Sequence, residues 1–356
     1  MMPLQFIYSQ TAGRVVFGAG ALEHLGRELD LLGVRRALLV CTPGQRVKVE
    51  DIARVIGERS AGVHAKAMMH VSVEVARAAR VEAKRVGADA LVAYGGGSAI
   101  GLAKAVALDA GLPILAIPTT YSGSEMTAIY GLTEAGLKRT GRDPRVQPKT
   151  VIYDPQLTLA LPVLISATSG MNAIAHAVEA LYAPEANPVT SMLAEEGMRA
   201  LAAGLPRVVK APGDLDARSD CLYGAWLCGA VLGVASVALH HKLCHTLGGS
   251  FNLAHAQTNA VVLPHAVAYN YPATPEAMRR VERSLDATHA AQGLYDLVQS
   301  LGAPMALKDI GMQEADLDRA AELATQTPYP NPRPVEYASI RKLLDDAFHG
   351  RRPQSQ

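Results

Sequence analysis

The chain changes its pattern once, near residue 155, and that change limits the folds open to it. Over 14–155, short β-rich runs (RALLVC, GVHAKAM, DALVAYGGG, PILAIPTT and TVIYDP) alternate with helical patterns at 49–59, 73–86 and 99–109. Strand, helix, strand in that rhythm specifies a parallel sheet with helices on its faces. From 157 on the pattern is almost wholly helical, and Pro184, Pro188, Pro206, Pro212 and Pro264 are expected in turns between apolar-striped segments. The expected fold class is α/β followed by all-α. A Rossmann-like parallel-sheet domain fills 1–156, a helical substrate domain fills 157–356, and the active site lies in the cleft between them.

Composition narrows the function classes. At 356 residues, 49% hydrophobic and 19% charged, the chain has material for two cores. Its net charge of +1 and the lack of a Lys/Arg-rich run speak against a nucleic-acid or membrane surface, so a small molecule is the expected partner. Cys41, Cys221, Cys228 and Cys244 stand in apolar surroundings without CxxC spacing, which predicts reduced thiols and a cytoplasmic protein. Residues 1–10 lack the basic start and apolar core of a secretory signal, no apolar run has membrane length, and only the polar tail 351–356 is of low complexity.

Tyr94-Gly95-Gly96-Gly97-Ser98 closes one apolar run and opens a helical one. Glycines let the backbone approach a diphosphate, and the N–H groups and positive dipole of a helix start favour the anion, so Gly96, Gly97 and Ser98 are candidate cofactor ligands. The spacing is not GxGxxG and does not name the nucleotide; a plain strand-to-helix turn is the alternative. The polar loop 118–125 leaves the next strand on the same edge, with Thr119, Thr120 and Ser122, and Thr127 just beyond, as further candidates. Alone it reads equally as an ordinary Thr/Ser-rich loop. After RALLVC the chain offers Thr42 and Arg46 where a carboxylate would hold an NAD ribose and repel a 2′-phosphate, so NADPH should serve as well as NADH.

The unusual chemistry is concentrated in 237–264. His241 and His245 are four apart and share a helix face, which Gly248-Gly249 is expected to end one turn later; His255 is expected in a polar loop. Upstream, Asn172 and His176 form a second i,i+4 pair. A lone helical His is more often structural, and His24, His64, His70, His289 and His349 read as surface or cap residues, His240 and His265 as structural neighbours. Burying four imidazoles without a purpose is costly, and such a set would suit a metal except that every candidate ligand is neutral.

The motifs GGGSAIGLAK (95–104), PTTYSGSE (118–125), SGMNAIAHAVEA (169–180), HHKLCHTLGGSF (240–251) and AHAQTNAVVLPH (254–265) resemble the iron-containing alcohol dehydrogenase superfamily. The match runs from GRVVFGAGALEHL at 13 to NPRP at 331 and is most similar to the metal-independent branch that reduces maleylacetate. The resemblance implies a dehydroquinate synthase-like fold, a homodimer, NADH or NADPH as cofactor and no metal. Metal-dependent members carry Asp where Asn172 stands and bind the ion with it and with histidines matching His176, His241 and His255; they usually also carry Asp where Gly101 stands. The resemblance further implies that His245 lies nearest the nicotinamide as proton donor, with His176, His241, His255 and Asn172 around the substrate. Lys242 and Arg142 are the cations offered to its two carboxylates. Two other readings stay open: a metal-dependent alcohol or polyol dehydrogenase with Asn172 as a weak ligand, and a non-redox relative such as a sugar-phosphate lyase or nucleotide-binding regulator.

Overall fold

The computed structural model describes residues 6, 8, 13–69, 71–134 and 137–354. His70, most of 1–10 and the last two residues of the tail lie outside them, as do the readings made there. The described chain forms two compact units: a first within 10–161, and a second of 162–354 together with residues 6 and 8.

The centre of the first unit is apolar on both faces. β2 (Ala37–Val40), β4 (Ala90–Gly95), β5 (Ile114–Pro118) and β8 (Thr150–Tyr153) are buried at every position, as strands of a covered parallel sheet must be. With β1 (Arg14–Phe17) and β3 (Ser60–His64) they form six parallel strands in the order β1-β8-β5-β4-β2-β3. Side-chain alternation divides the core. Leu38, Val40, Leu91 and Ala93 pack under α3 (Val73–Arg85) and α4 (Gly97–Ala110), while Leu39, Val92, Tyr94 and Leu115 pack under α1 (Leu25–Leu31) and α2 (Arg46–Ile56).

The chain leaves β2 towards β3 at one edge and leaves β4 towards β5 in the opposite direction. The connections therefore diverge between β2 and β4, the topological switch at which doubly wound sheets bind ligands. Thr42 and the Gly95–Gly97 turn follow these two strands.

Three expectations for this unit need correction. The strand expected over 62–68 is β3, which starts at Ser60 and stops at His64. His64 is buried at its end, where burial lowers its pKa, and is not a surface residue. The segment before β8, to which the sequence patterns assigned no strand, forms an antiparallel hairpin of β6 (Ile129–Glu134) and β7 (Leu137–Arg142) outside the main sheet. Its residues are too polar for the apolar patterning that marked the other strands.

The second unit is helical: α5 (Val163–Ala180), α6 (Pro188–Lys210), α7 (Leu215–Leu232), α8 (Leu239–Phe251), α9 (His255–Asn270), α10 (Pro275–Leu285), α11 (Ala290–Ser300), α12 (Leu317–Thr325) and α13 (Tyr337–His349). Pro188 opens α6 behind an Asn187/Thr190 capping box. Pro206 and Pro264, expected in turns, lie inside α6 and α9. At Pro264 the flanking residues are buried on all sides, and that packing outweighs the roughly 3 kcal/mol a helical proline costs. α6 and α7 approach closely at Gly197 and Gly224, where a Cβ on Gly224 would sit 2.7 Å from the Gly197 carbonyl oxygen.

Gly248 and Gly249 do not end α8. The helix continues through Phe251 and stops at Asn252, whose φ of 55° places it in the left-handed region that Asn tolerates. All four cysteines are buried free thiols. Among the described residues no helix is long and apolar enough to cross a membrane.

Candidate active site

The cofactor candidates gather at the switch edge of the first unit. Gly95 has φ 138°, a conformation other residues rarely adopt, and its carbonyl accepts the Thr119 amide at 3.2 Å. A Cβ on Gly96 would meet Thr120 Oγ1 at 2.8 Å. The turns after β4 and β5 thus touch, and the space above them exists because Gly96 has no side chain. Gly96 is the N-cap of α4 without a side-chain cap, so the N–H groups at this helix start have no competing side-chain acceptor. Ser98, Thr120, Ser122 and Thr42 are half-buried on this edge, Gly97 is exposed, and Thr119 is buried. This cradle fits a dinucleotide diphosphate.

Two candidates change meaning. Thr127 is buried and its hydroxyl is used internally: it donates to the Ser124 carbonyl and accepts from Lys104 Nζ at 3.0 Å and from the Ile129 amide at 3.2 Å. It holds the loop and does not face a cofactor. Arg46 is exposed and bonded to Glu50 at 2.7 Å, which offsets the positive charge offered to a 2′-phosphate. The residue that organises the loop, Lys104, carries no mark in the sequence that singles it out. It is fully buried, and its ammonium donates to the carbonyls of Ser124 (2.6 Å), Thr127 (2.7 Å) and Ile129 (2.8 Å). Burial lowers its pKa to about 7, against the pull of buried Glu125. Arg142 is exposed at the end of β7, opposite Ile129.

In the helical unit the imidazoles form a row. His176 stacks on His241 with ring centroids 4.7 Å apart; His241 is 6.3 Å from His245, and His245 stacks on His255 at 6.0 Å. His176 and His241 are buried, His255 half-buried and His245 exposed. His255 is the first residue of α9 and not part of a loop. Lys242 is half-buried, with Nζ 5.5 Å above the Tyr329 ring. Asn172 lies one turn before His176 on α5, a helix buried along nearly its whole length. Asn172 Oδ1, His176 Nδ1 and His241 Nε2 are buried polar atoms without a hydrogen-bond partner, as expected of groups that await a ligand.

Glu179 is the site residue that the sequence alone did not reveal. It follows Asn172 and His176 on the same face of α5 at i+7 and i+3, and is fully buried. Its Oε1 accepts the His240 amide at 2.8 Å; its Oε2 accepts the Ala238 amide at 2.8 Å and His241 Nδ1 at 2.7 Å. A carboxylate is therefore present beside the histidines, contrary to the expectation of an all-neutral set. Burial pushes Glu179 up and His241 well down, each towards its neutral form. Burial and neighbouring imidazoles likewise hold His176 far below its ordinary value. Burial thus favours the neutral imidazole at both 176 and 241.

Models of two families cover the chain: "Iron-containing alcohol dehydrogenase" over residues 12–155 and "Fe-containing alcohol dehydrogenase family, C-terminal" over 166–348. The chain belongs to the iron-containing alcohol dehydrogenase family. It is 56% identical to the maleylacetate reductase of Burkholderia cepacia, covering 98% of this chain and 99% of that protein. The crystal structure of maleylacetate reductase from Agrobacterium tumefaciens has a TM-score of 0.96 at 50% identity, covering 98% and 99% of the two chains. That of an iron-containing alcohol dehydrogenase from Corynebacterium glutamicum ATCC 13032 has a TM-score of 0.94 at 42% identity, covering 98% of each.

The family name implies iron, and the resemblance places its ligands at 172, 176, 241 and 255. Among the described residues, the one trio of His, Cys, Asp or Glu side chains with ligand atoms all within 4.8 Å of one another is Glu179, His240 and His241. Its atoms are engaged: Glu179 by three N–H groups and His240 Nε2 by the Asn259 carbonyl at 3.1 Å. His176, His241 and His255 do not gather that closely, and the remaining partner is an amide. As placed, His176, His241 and His255 are not drawn around a single point, and the fourth candidate brings no negative charge to a divalent ion.

Proposed function

We propose that this oxidoreductase reduces the carbon–carbon double bond of maleylacetate with NADH or NADPH, giving 3-oxoadipate, without a metal. The observation that carries the reading is the 56% identity with a maleylacetate reductase across 98% of the chain. The balance is one dicarboxylate enone, one reduced nicotinamide and one proton in, one saturated oxo-dicarboxylate and one oxidised nicotinamide out.

When bound, the reduced nicotinamide supplies the hydride, and the chain's residues do the rest. In this proposal the Gly95–Gly97 turn and the start of α4 hold the diphosphate, and the substrate sits against Asn172, His176 and His255. Conjugation spreads the developing charge onto the ketone oxygen, so hydrogen-bond donors stabilise the enolate without a Lewis acid. The Asn172 amide and a neutral His176 each carry N–H groups for that purpose. His245, which solvent reaches, donates the proton to the enolate carbon. Lys242 and Arg142 are assigned to the carboxylates. An amide at 172 avoids opposing a dianion with a second negative charge. A homodimer in the cytoplasm completes the proposal, and light scattering of the purified protein tests the first part.

The deciding assay is loss of NADH absorbance on adding fresh maleylacetate with a chelator present. Turnover is expected; tight NADH binding without oxidation would instead favour a non-redox relative. Asn172→Asp is expected to raise metal uptake and lower kcat/KM at least ~10-fold through like-charge opposition. A variant that stayed fully active and metal-free would remove the charge argument.

A further inference from the structure

The buried polar groups around the start of α8 are linked through one residue. α8 starts at Leu239 and has no capping side chain of its own. Its Ala238 and His240 amides instead donate to the two oxygens of Glu179, which comes from α5, 59 and 61 residues earlier in sequence. A carboxylate at a helix start satisfies orphan N–H groups and complements the positive end of the dipole. The same carboxylate reaches His241 Nδ1 at 2.7 Å.

One backbone amide donates to each Glu179 oxygen, which favours the carboxylate against the burial that opposes its charge; a carboxylate only accepts hydrogen bonds, so the proton of that contact belongs to His241 Nδ1. The neighbouring geometry agrees. His240 Nε2 faces the Asn259 carbonyl at 3.1 Å, which only accepts, so His240 carries its proton there. Its Nδ1 is then a lone pair, 3.3 Å from His241 Nδ1, and receives a share of the same N–H. A neutral imidazole has one N–H, which leaves His241 Nε2, the buried partnerless atom, as an acceptor.

We infer that Glu179 is a positioning residue that both caps α8 and locks His241 in the Nδ1–H tautomer, so that His241 meets the substrate site with a lone pair. This rests on the proposed reaction for its catalytic consequence alone. An acceptor at His241 Nε2 is unsuited to an enolate oxygen, which places oxyanion stabilisation on Asn172 and His176. It assigns His241 a water or a hydroxyl-bearing form of the ligand.

The substitution Glu179→Gln keeps the shape, and its amide N–H₂ would favour the opposite tautomer of His241. In histidine-15N-labelled enzyme without substrate, with His241 resonances identified by their loss in His241→Asn, the native protein should show a protonated Nδ1 and an unprotonated Nε2. In Glu179→Gln, whose side chain cannot accept from all three N–H groups at once, the Nδ1–H form should lose its dominance and an Nε2-protonated form should appear. kcat should fall ~10²-fold or more, since a wrong tautomer behind a buried carboxylate-to-amide change costs up to ~10⁴-fold. KM for NADH should stay within about 2-fold, as the cofactor groups are elsewhere. An Nε2-protonated His241 in the native enzyme overturns the inference, as does a Glu179→Gln enzyme with unchanged tautomer and kcat. The native spectrum decides even if the variant does not fold. It is also independent of which substrate is reduced, so an error in the proposed reaction would leave it unchanged.

Discussion

α4 and α8 begin in opposite ways. α4 starts at a glycine N-cap with no side chain turned back on its amides, whereas α8 has its first amides occupied by buried Glu179. Both ends carry the same partial positive charge from the backbone. In the α/β unit that charge is left for a ligand, and the supporting loop is held from beneath by Lys104, which takes up carbonyls and no amides. In the helical unit the chain supplies its own anion. The difference separates a helix start left open, as the proposed diphosphate site requires, from one closed by the chain's own carboxylate.

The largest expected effect breaks the second half of this contrast. Glu179→Leu strands two buried amides and His241 Nδ1, and should cost about 3–5 kcal/mol in urea unfolding; a loss below ~1 kcal/mol would mean that the carboxylate is not the cap. Next, His245→Ala should lower kcat ~10²-fold and leave NADH affinity nearly intact, because the exposed imidazole belongs to the helical unit; equal loss of both would dissolve the division of labour. Gly96→Ala probes the other half. Its methyl would press on Thr120, and NADH affinity measured by fluorescence titration should drop about 10-fold, the overpacking cost of ~1–3 kcal/mol.

A further effect concerns acid. Burial lowers His240 to about 3 and His265 to about 4. The unfolded chain binds protons at these sites below pH ~6.5 while the folded chain does not, so stability is intact above that value and declines as pH falls towards the folded values. Each group adds a slope of up to ~1.4 kcal/mol per pH unit. Four imidazoles are held low in the helical unit and one, His64, in the sheet unit. Hydrogen exchange at about pH 5 should therefore rise first in the helices, and His265→Leu should flatten the slope.

What the sequence made legible follows from periodicity. Apolar runs such as ALVAYG announce buried parallel strands, and i,i+4 spacing put Asn172 with His176 and His241 with His245. The hairpin escaped because GLTEAGLKRTGR has neither strict alternation nor an apolar run. His255 looked like loop because glycine is the usual helix stop, and here Asn252 does the turning, with α9 starting only three residues later.

Glu179 and Lys104 escaped for a different reason. A single charged residue in an apolar helix reads as surface unless its burial is known, and the groups that satisfy each one lie 20 to 62 residues away in sequence. Thr127 was misplaced by the same limit, since a hydroxyl in a polar loop carries no mark of which way it points.

The rung that pairs Gly95 with Pro118 brings the two candidate cofactor turns to the same height, and the missing methyl at Gly96 lets Thr120 lie against the backbone. Neither turn has an independent shape. Re-tailoring the enzyme for a different dinucleotide by grafting one turn alone should therefore fail, and successful exchanges will come as matched pairs drawn from a single donor protein.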